Sequence, residues 1–204
     1  MHKVHRLLSV AVLTCLSASA FAATTYTTSA SFLAQVAPGA YMENFNNWVT
    51  DPPAGALAFS GGGFSYSAFA ASDLYLSGGF LGTSQINEAL TITFTSGNVT
   101  AIGANFFATN ISDVLQAVSV TVTLSDGTVT SLTPTSMADS YLGFTSTTAI
   151  TSLTISAPGQ SLYASLDNLT VGVSAVPEPA NWALMGLGLA GVIAARRRST
   201  SSKA

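Results

Sequence analysis

The chain has 204 residues, of which 48% are apolar and only 7% charged, against roughly 25% charged in an ordinary soluble domain. Its net charge of −3 hides a partition: every Lys, Arg and His lies at the two ends, while the span between Ala23 and Val176 holds eight acids and no basic residue. That span excludes nucleic-acid binding, Lys- or Arg-mediated phosphate recognition, Ser-His-Asp or Cys-His catalysis, and zinc sites of the His/Cys type.

Residues 1–22 have the three parts of a secretory signal peptide. A basic start (His2, Lys3, His5, Arg6) precedes an apolar run from Leu7 to Leu16, and Ala20-Phe21-Ala22 forms a small-residue cleavage site. The apolar run is too short for a bilayer core of about 30 Å, which favours cleavage over an uncleaved anchor and starts the mature chain near Ala23. The single cysteine, Cys15, lies inside the run. A lipoprotein reading of Cys15 lacks the small residues such a site needs before it, since Leu13-Thr14 precede, and the run continues past it. The mature chain then has no thiol, so core burial must stabilise it. A domain of roughly 150 residues removes about 70% of its unfolded surface from water.

From residue 23 to 175 the pattern is that of one β-rich ectodomain. A short helix is expected over Ser31–Val36, ended by Pro38-Gly39. Strands are expected at Phe64–Phe69, Ala89–Thr95, Val99–Ala108 and Val118–Ser125, where apolar residues alternate with Ser and Thr or run together. Asp126-Gly127 then turns the chain into Thr128–Leu132, a β-hairpin. Ile150–Ser156 and Leu166–Val173 complete the set. About eight to ten short strands separated by turns, without an internal repeat, predict an all-β fold: an antiparallel β-sandwich of jelly-roll type. Threonine suits it, fitting a pleated surface and keeping the outer face wet without charge.

The last segment, 176–204, is a second targeting element. Pro177-Glu178-Pro179 favours an extended backbone. Trp182 is an interfacial aromatic, and the run from Ala183 to Ala195 is apolar, with Gly186, Gly188 and Gly191 permitting close helix packing. Arg196, Arg197 and Arg198 would stop the membrane helix on the cytoplasmic side. The order from Val176 through Arg198 closely resembles the PEP-CTERM sorting signal of Gram-negative bacteria. That resemblance implies recognition by an exosortase, tail removal near the Pro-Glu-Pro, and export to the cell surface, often with exopolysaccharide and biofilm matrix. The alternative, a permanent single span, is disfavoured by the shortness of the apolar run.

Within the ectodomain, Glu43-Asn44-Phe45, the stretch Ala101–Phe107, the Asp-Gly hairpin, Leu142-Gly143-Phe144, Ile150–Ile155 and Leu166-Asp167-Asn168-Leu169 look like a recurrent PEP-CTERM ectodomain. That domain resembles galactose-binding-like and carbohydrate-binding jelly rolls. The resemblance implies a fold and leaves the ligand open.

Three local features compete for a functional role. Glu43, Asp167 and Asn168 would meet if the first and last strands pair, and their oxygens suit a structural Ca²⁺; Asx residues also commonly brace turns. Phe59, Phe64, Tyr66, Phe69, Tyr75 and Phe80 form an aromatic cluster. The Phe residues are expected in the core, and Tyr66 and Tyr75, whose hydroxyls favour it, in half-exposed positions. Gly61-Gly62-Gly63 is a turn, since no Lys and no helix follow as a phosphate loop requires. No spacing among the eight acids marks a glycosidase pair.

The expectation is therefore an exported, non-enzymatic surface or matrix protein. It would pass through the Sec machinery and transiently the inner membrane, be processed by an exosortase, and associate with polysaccharide. A glycan-active enzyme on the same fold is the alternative.

Overall fold

A computed structural model describes residues 22–175, apart from 49, 50, 53 and 77. Of the targeting residues, only Ala22 is among them; Ala20, Pro177, Glu178, Pro179, Trp182 and Arg196 to Arg198 lie outside the described residues. The first half of the ectodomain comprises β1 (Thr24–Tyr26), α1 (Ser29–Leu33), β2 (Tyr41–Glu43), β3 (Leu57–Gly61), β4 (Phe64–Phe69), β5 (Leu74–Tyr75) and β6 (Leu81–Thr83). The second half comprises β7 (Leu90–Phe94), β8 (Ala101–Thr109), β9 (Val120–Leu124), β10 (Val129–Leu132), β11 (Tyr141–Thr145), β12 (Ser152–Ser156) and β13 (Tyr163–Gly172).

Two antiparallel sheets form a sandwich. The first has the order β1-β11-β8-β13-β6-β5, with β2 also paired to β13; the second has the order β10-β9-β12-β7-β4-β3. From β6 to β9 and again from β10 to β13, each connection carries the chain from one sheet to the other. This wrapping of two sheets around one core is the jelly-roll habit.

The second sheet shows the clean alternation that the sequence foretells. Along β9 the residues Val120, Val122 and Leu124 are buried while Thr121 and Thr123 are not. On its solvent face Thr121 Oγ1 and Ser131 Oγ lie 3.0 Å apart, a cross-strand hydroxyl pair. The first sheet differs: β8 is buried almost end to end. Its run Ala-Ile-Gly-Ala-Asn-Phe-Phe-Ala-Thr lacks alternation because both of its faces are covered, as in sheets packed on two sides.

Helix α1 supplies part of that outer cover. Thr28 caps it, its Oγ1 accepting from Ser31 N at 3.2 Å, so the helix begins before Ser31. It ends at Leu33, short of the expected Val36, because Val36 is drawn into a β-bridge with Ser174. Phe32, fully buried, projects onto the sheet beside Ala101 and Tyr141. Gly103 and Gly143, cross-strand partners in register, leave room for its ring.

The expected hairpin forms with a different turn. Leu124 N donates to Thr128 O, Gly127 N donates to Leu124 O, and of the Asp-Gly pair only Gly127 takes a positive φ, +87°. This is the three-residue loop with a glycine bulge, not a two-residue turn needing positive φ twice. The strands absent from the sequence reading are β1, β3, β5, β6 and β11, each of two to five residues. Runs of two or three residues, as in β1, β5 and β6, carry no measurable period, and only pairing with neighbours defines them.

Candidate functional site

Beyond α1, the first sheet's outer face carries a groove with an aromatic floor. Tyr75, Gly82, Ser165 and Phe107 are aligned across β5, β6, β13 and β8 by direct pairing, so all four point the same way. Phe80, from the connection between β5 and β6, folds back over Gly82, where an added Cβ would lie 3.4 Å from its ring. Its centroid is 5.5 Å from that of Tyr75 and 5.4 Å from that of Phe107, tilted to the one and edge-on to the other. These are favoured geometries for a quadrupolar ring.

Phe80 and Asp113 divide the groove in two. On one side a cleft of about 200 Å³ is bounded by Tyr75, Thr109, Asn110 and Tyr163, with Asp51 at its rim. On the other a shallower hollow of about 370 Å³ reaches Phe107, Met137 and Asp167. Both are small or shallow beside the roughly 300–1,000 Å³ pockets that engulf a drug-sized ligand.

Local chemistry sets each polar group. Asn110 Oδ1 accepts from Ser112 N and Val114 N at 2.9 and 3.1 Å, which closes a tight loop after β8. Asp113 in that loop has a φ of +60°, a conformation Asp tolerates, and its Oδ2 accepts from Tyr75 Oη at 2.6 Å. Asp51 Oδ1 accepts from Leu76 N at 2.9 Å, which ties the rim to the end of β5. Ile111 is 83% exposed at the edge of the cleft. The groove thus presents the carboxylates of Asp51, Asp113 and Asp167, an amide, phenol hydroxyls and aromatic faces, with no basic residue in the ectodomain to offset the acids.

The residues expected to hold calcium are split by the sheet. Strand β2 does pair with β13, placing Glu43 opposite Leu169, one position beyond Asn168. Leu169 is a core residue, so Glu43 shares the inward side. There Glu43 Oε2 accepts from Tyr41 Oη at 2.6 Å and Oε1 accepts from Phe45 N at 3.0 Å. Burial, followed by this carboxylate, pushes the Tyr41 phenol up to about 12. Asp167 pairs with Asn105 and points to the outer face. Asp167 and Asn168 are brought together at a bulge in β13, where Asn168 has a φ of +53° and its backbone N donates to Asp167 Oδ1 at 2.6 Å. Asn168 Nδ2 donates to Asn105 Oδ1 at 3.2 Å. Burial raises the Asp167 carboxyl above its ordinary range, only partly offset by the Asn168 N–H. No group of three or more His, Cys, Asp or Glu side chains among the described residues is arranged to hold a metal.

The aromatic expectations divide. Phe59 and Phe64 are in the core, and Tyr75 is half-buried as expected. Tyr66 is instead buried, stacked on Phe59 at 4.9 Å, because it points inward from β4 between Phe64 and Ala68. Phe69 is 48% exposed, since it falls on the outward parity at the end of the same strand. Phe80 is buried outside the main core, in the groove. Sequence reasoning missed Asp51, Asp113, Phe107 and Tyr163. Asn110-Ile111-Ser112-Asp113 is a run of turn formers after a long strand, and that signal marks a site-bearing loop.

Comparison with known proteins identifies the tail. Residues 175–198 match the PEP-CTERM protein-sorting motif. The motif indicates an exported protein that an exosortase recognises and processes at the membrane. No curated protein matches the chain in sequence. Among solved structures, an exo-β-1,3-galactanase from Phanerochaete chrysosporium, crystallised with galactose, matches at 20% identity and a TM-score of 0.28. The match covers 65% of this chain and 29% of that one, so the chain spans under a third of that protein's length.

Proposed function

We propose that the ectodomain is a non-enzymatic polysaccharide-associating module, delivered through the Sec pathway and released at the cell surface or into the matrix once an exosortase has cut near Pro177-Glu178-Pro179. The groove around Phe80 carries this reading. Sugar rings present C–H faces to aromatic surfaces and hydroxyls to carboxylates and amides, and Tyr75, Tyr163, Asn110, Asp51 and Asp113 supply those groups beside one cleft. Asp51 and Asp113 already accept hydrogen bonds from Leu76 and Tyr75, which positions them as fixed acceptors.

Charge narrows the ligand. An ectodomain with eight acids and no basic residue repels uronate-bearing and sulfated polymers, so the partner is neutral or carries amino groups. Membrane passage is transient, and surface or biofilm association follows from the polymer rather than from an anchor.

A glycan array probed with the purified exported protein tests this. Binding to neutral or amino-sugar polymers, lost in Tyr163→Ala and in Asp113→Asn, is the expected result. No binding to any glycan would remove the reading. Hydrolysis of a bound glycan, abolished by substituting Asp113 or Asp167, would replace it with a glycosidase. Calcium at Glu43, Asp167 and Asn168 is a separate proposal. Such a site must draw Glu43 away from Tyr41 and Asp167 away from Asn168, and a melting temperature unmoved by calcium or chelator would remove it.

A further inference from the structure

The backbone nitrogen of Ala23 lies 2.9 Å from Asp126 Oδ2 and 3.0 Å from Thr128 Oγ1, at the turn between β9 and β10. In an uncut chain this nitrogen is an amide with one hydrogen facing two acceptors. A free α-amino group in the same place has three hydrogens and a full positive charge, enough for both.

The position is held from both sides. The Ala23 side chain packs against the main core, and Thr24 is in register with Thr145 of β11. Asp126 is oriented by its other oxygen, Oδ1, which accepts from Thr128 N at 2.8 Å and leaves Oδ2 turned to Ala23. Strand β1 is an edge of the first sheet and β10 an edge of the second, so this contact clips the two sheets together at one margin of the sandwich.

We propose that Asp126 and Thr128 form a binding site for an ammonium group, and that its ligand is the α-amino group of Ala23 made by cleavage after Ala22. The proposal rests on reading Ala20-Phe21-Ala22 as an export-peptidase site. In that cut one water is consumed across the Ala22–Ala23 amide. The hydroxyl goes to the Ala22 carbonyl carbon, a proton goes to the Ala23 nitrogen, and the resulting amine takes a further proton from solvent. Removal of the signal therefore completes the fold: it gives the acidic ectodomain its single cation, at the place where one is hydrogen-bonded.

Asp126 is the titratable partner within hydrogen-bond reach of this group, and its charge favours the protonated amine. A raised folded-state value means that the stabilisation is present below the unfolded value of about 8 and is lost as pH rises through the folded one. The exported protein is purified, its first residue identified by mass spectrometry, and the rate of acylation of the α-amino group followed against pH on the peptide that carries it. The expected result is a chain starting at Ala23 whose amine reacts only above the ordinary value of about 8, moving back to that value in Asp126→Asn. Thr128→Val, which spares the turn carboxylate, is expected to move it part of the way and serves if Asp126→Asn unfolds. A chain starting at another residue overturns the cleavage reading and the proposal with it. A chain starting at Ala23 with an ordinary amine, or one unmoved in both variants, overturns the docking alone.

Discussion

The ring of Phe32 rests on Gly143, so closely that a Cβ there would stand 2.5 Å from its carbons. A Cβ added at Gly103, across the strand pair, would stand 2.7 Å from the same ring. A five-residue helix is too short to hold itself in water, so α1 persists because its one buried side chain fits this hollow.

Gly143→Ala is therefore expected to destabilise the ectodomain by about 1–3 kcal/mol, the usual penalty for overpacking. Urea unfolding measures it. Because Phe32 and Gly143 share one contact, the double variant Phe32→Ala/Gly143→Ala should lose less than the sum of the two single variants.

Asp167 gives a pH signature of one sign. Burial raises its folded value, so the stability it contributes is present below the unfolded value of about 3.9 and lost as pH rises through the folded one. Asp167→Asn should be more stable than the parent at neutral pH, with the gain vanishing in acid. Thermal melting across pH reads this directly. A loss of stability at neutral pH would mean that the carboxylate does more for the β13 bulge than its burial costs.

Asp139 gives the opposite sign. Thr135 and Ser136 each donate a backbone N–H and a hydroxyl to its carboxylate, which holds the carboxyl well below the usual range. Its contribution is present above about 3.9 and lost as pH falls through the lower folded value. Asp139→Asn should flatten the acid limb of the stability profile and leave the neutral and alkaline parts parallel to the parent.

Tyr66 carries a buried hydroxyl with no hydrogen-bond partner among the described residues. Burial pushes its phenol far above the ordinary value, and the Tyr41 and Tyr141 phenols up to about 12. Tyr66→Phe keeps the stack on Phe59 and removes an unsatisfied group, so it should be neutral or stabilising by up to about 1 kcal/mol. In an alkaline ultraviolet titration of the parent, these three phenols should stay protonated until near pH 12 or until the protein unfolds. Ionisation of all six tyrosines near 10 would contradict the burial that places them.

The alternating strands Leu90–Phe94 and Val120–Leu124 were legible from the chain alone, because apolar residues alternate with Thr and one face of each must leave water. The sequence also determined the sorting tail, whose order of Pro-Glu-Pro, apolar run and arginines is chemically self-contained, and the absence of basic residues that excludes whole classes of function. Tertiary structure alone decided the groove. Phe80, Phe107, Asp113 and Tyr163 lie on separate segments, and only strand register brings them to one face. It also separated Glu43 from Asp167 across a sheet, because the side of a strand on which a residue emerges depends on pairing and on one bulge. The same register seated Ala23 at Asp126, a contact spanning 103 residues that no local pattern encodes.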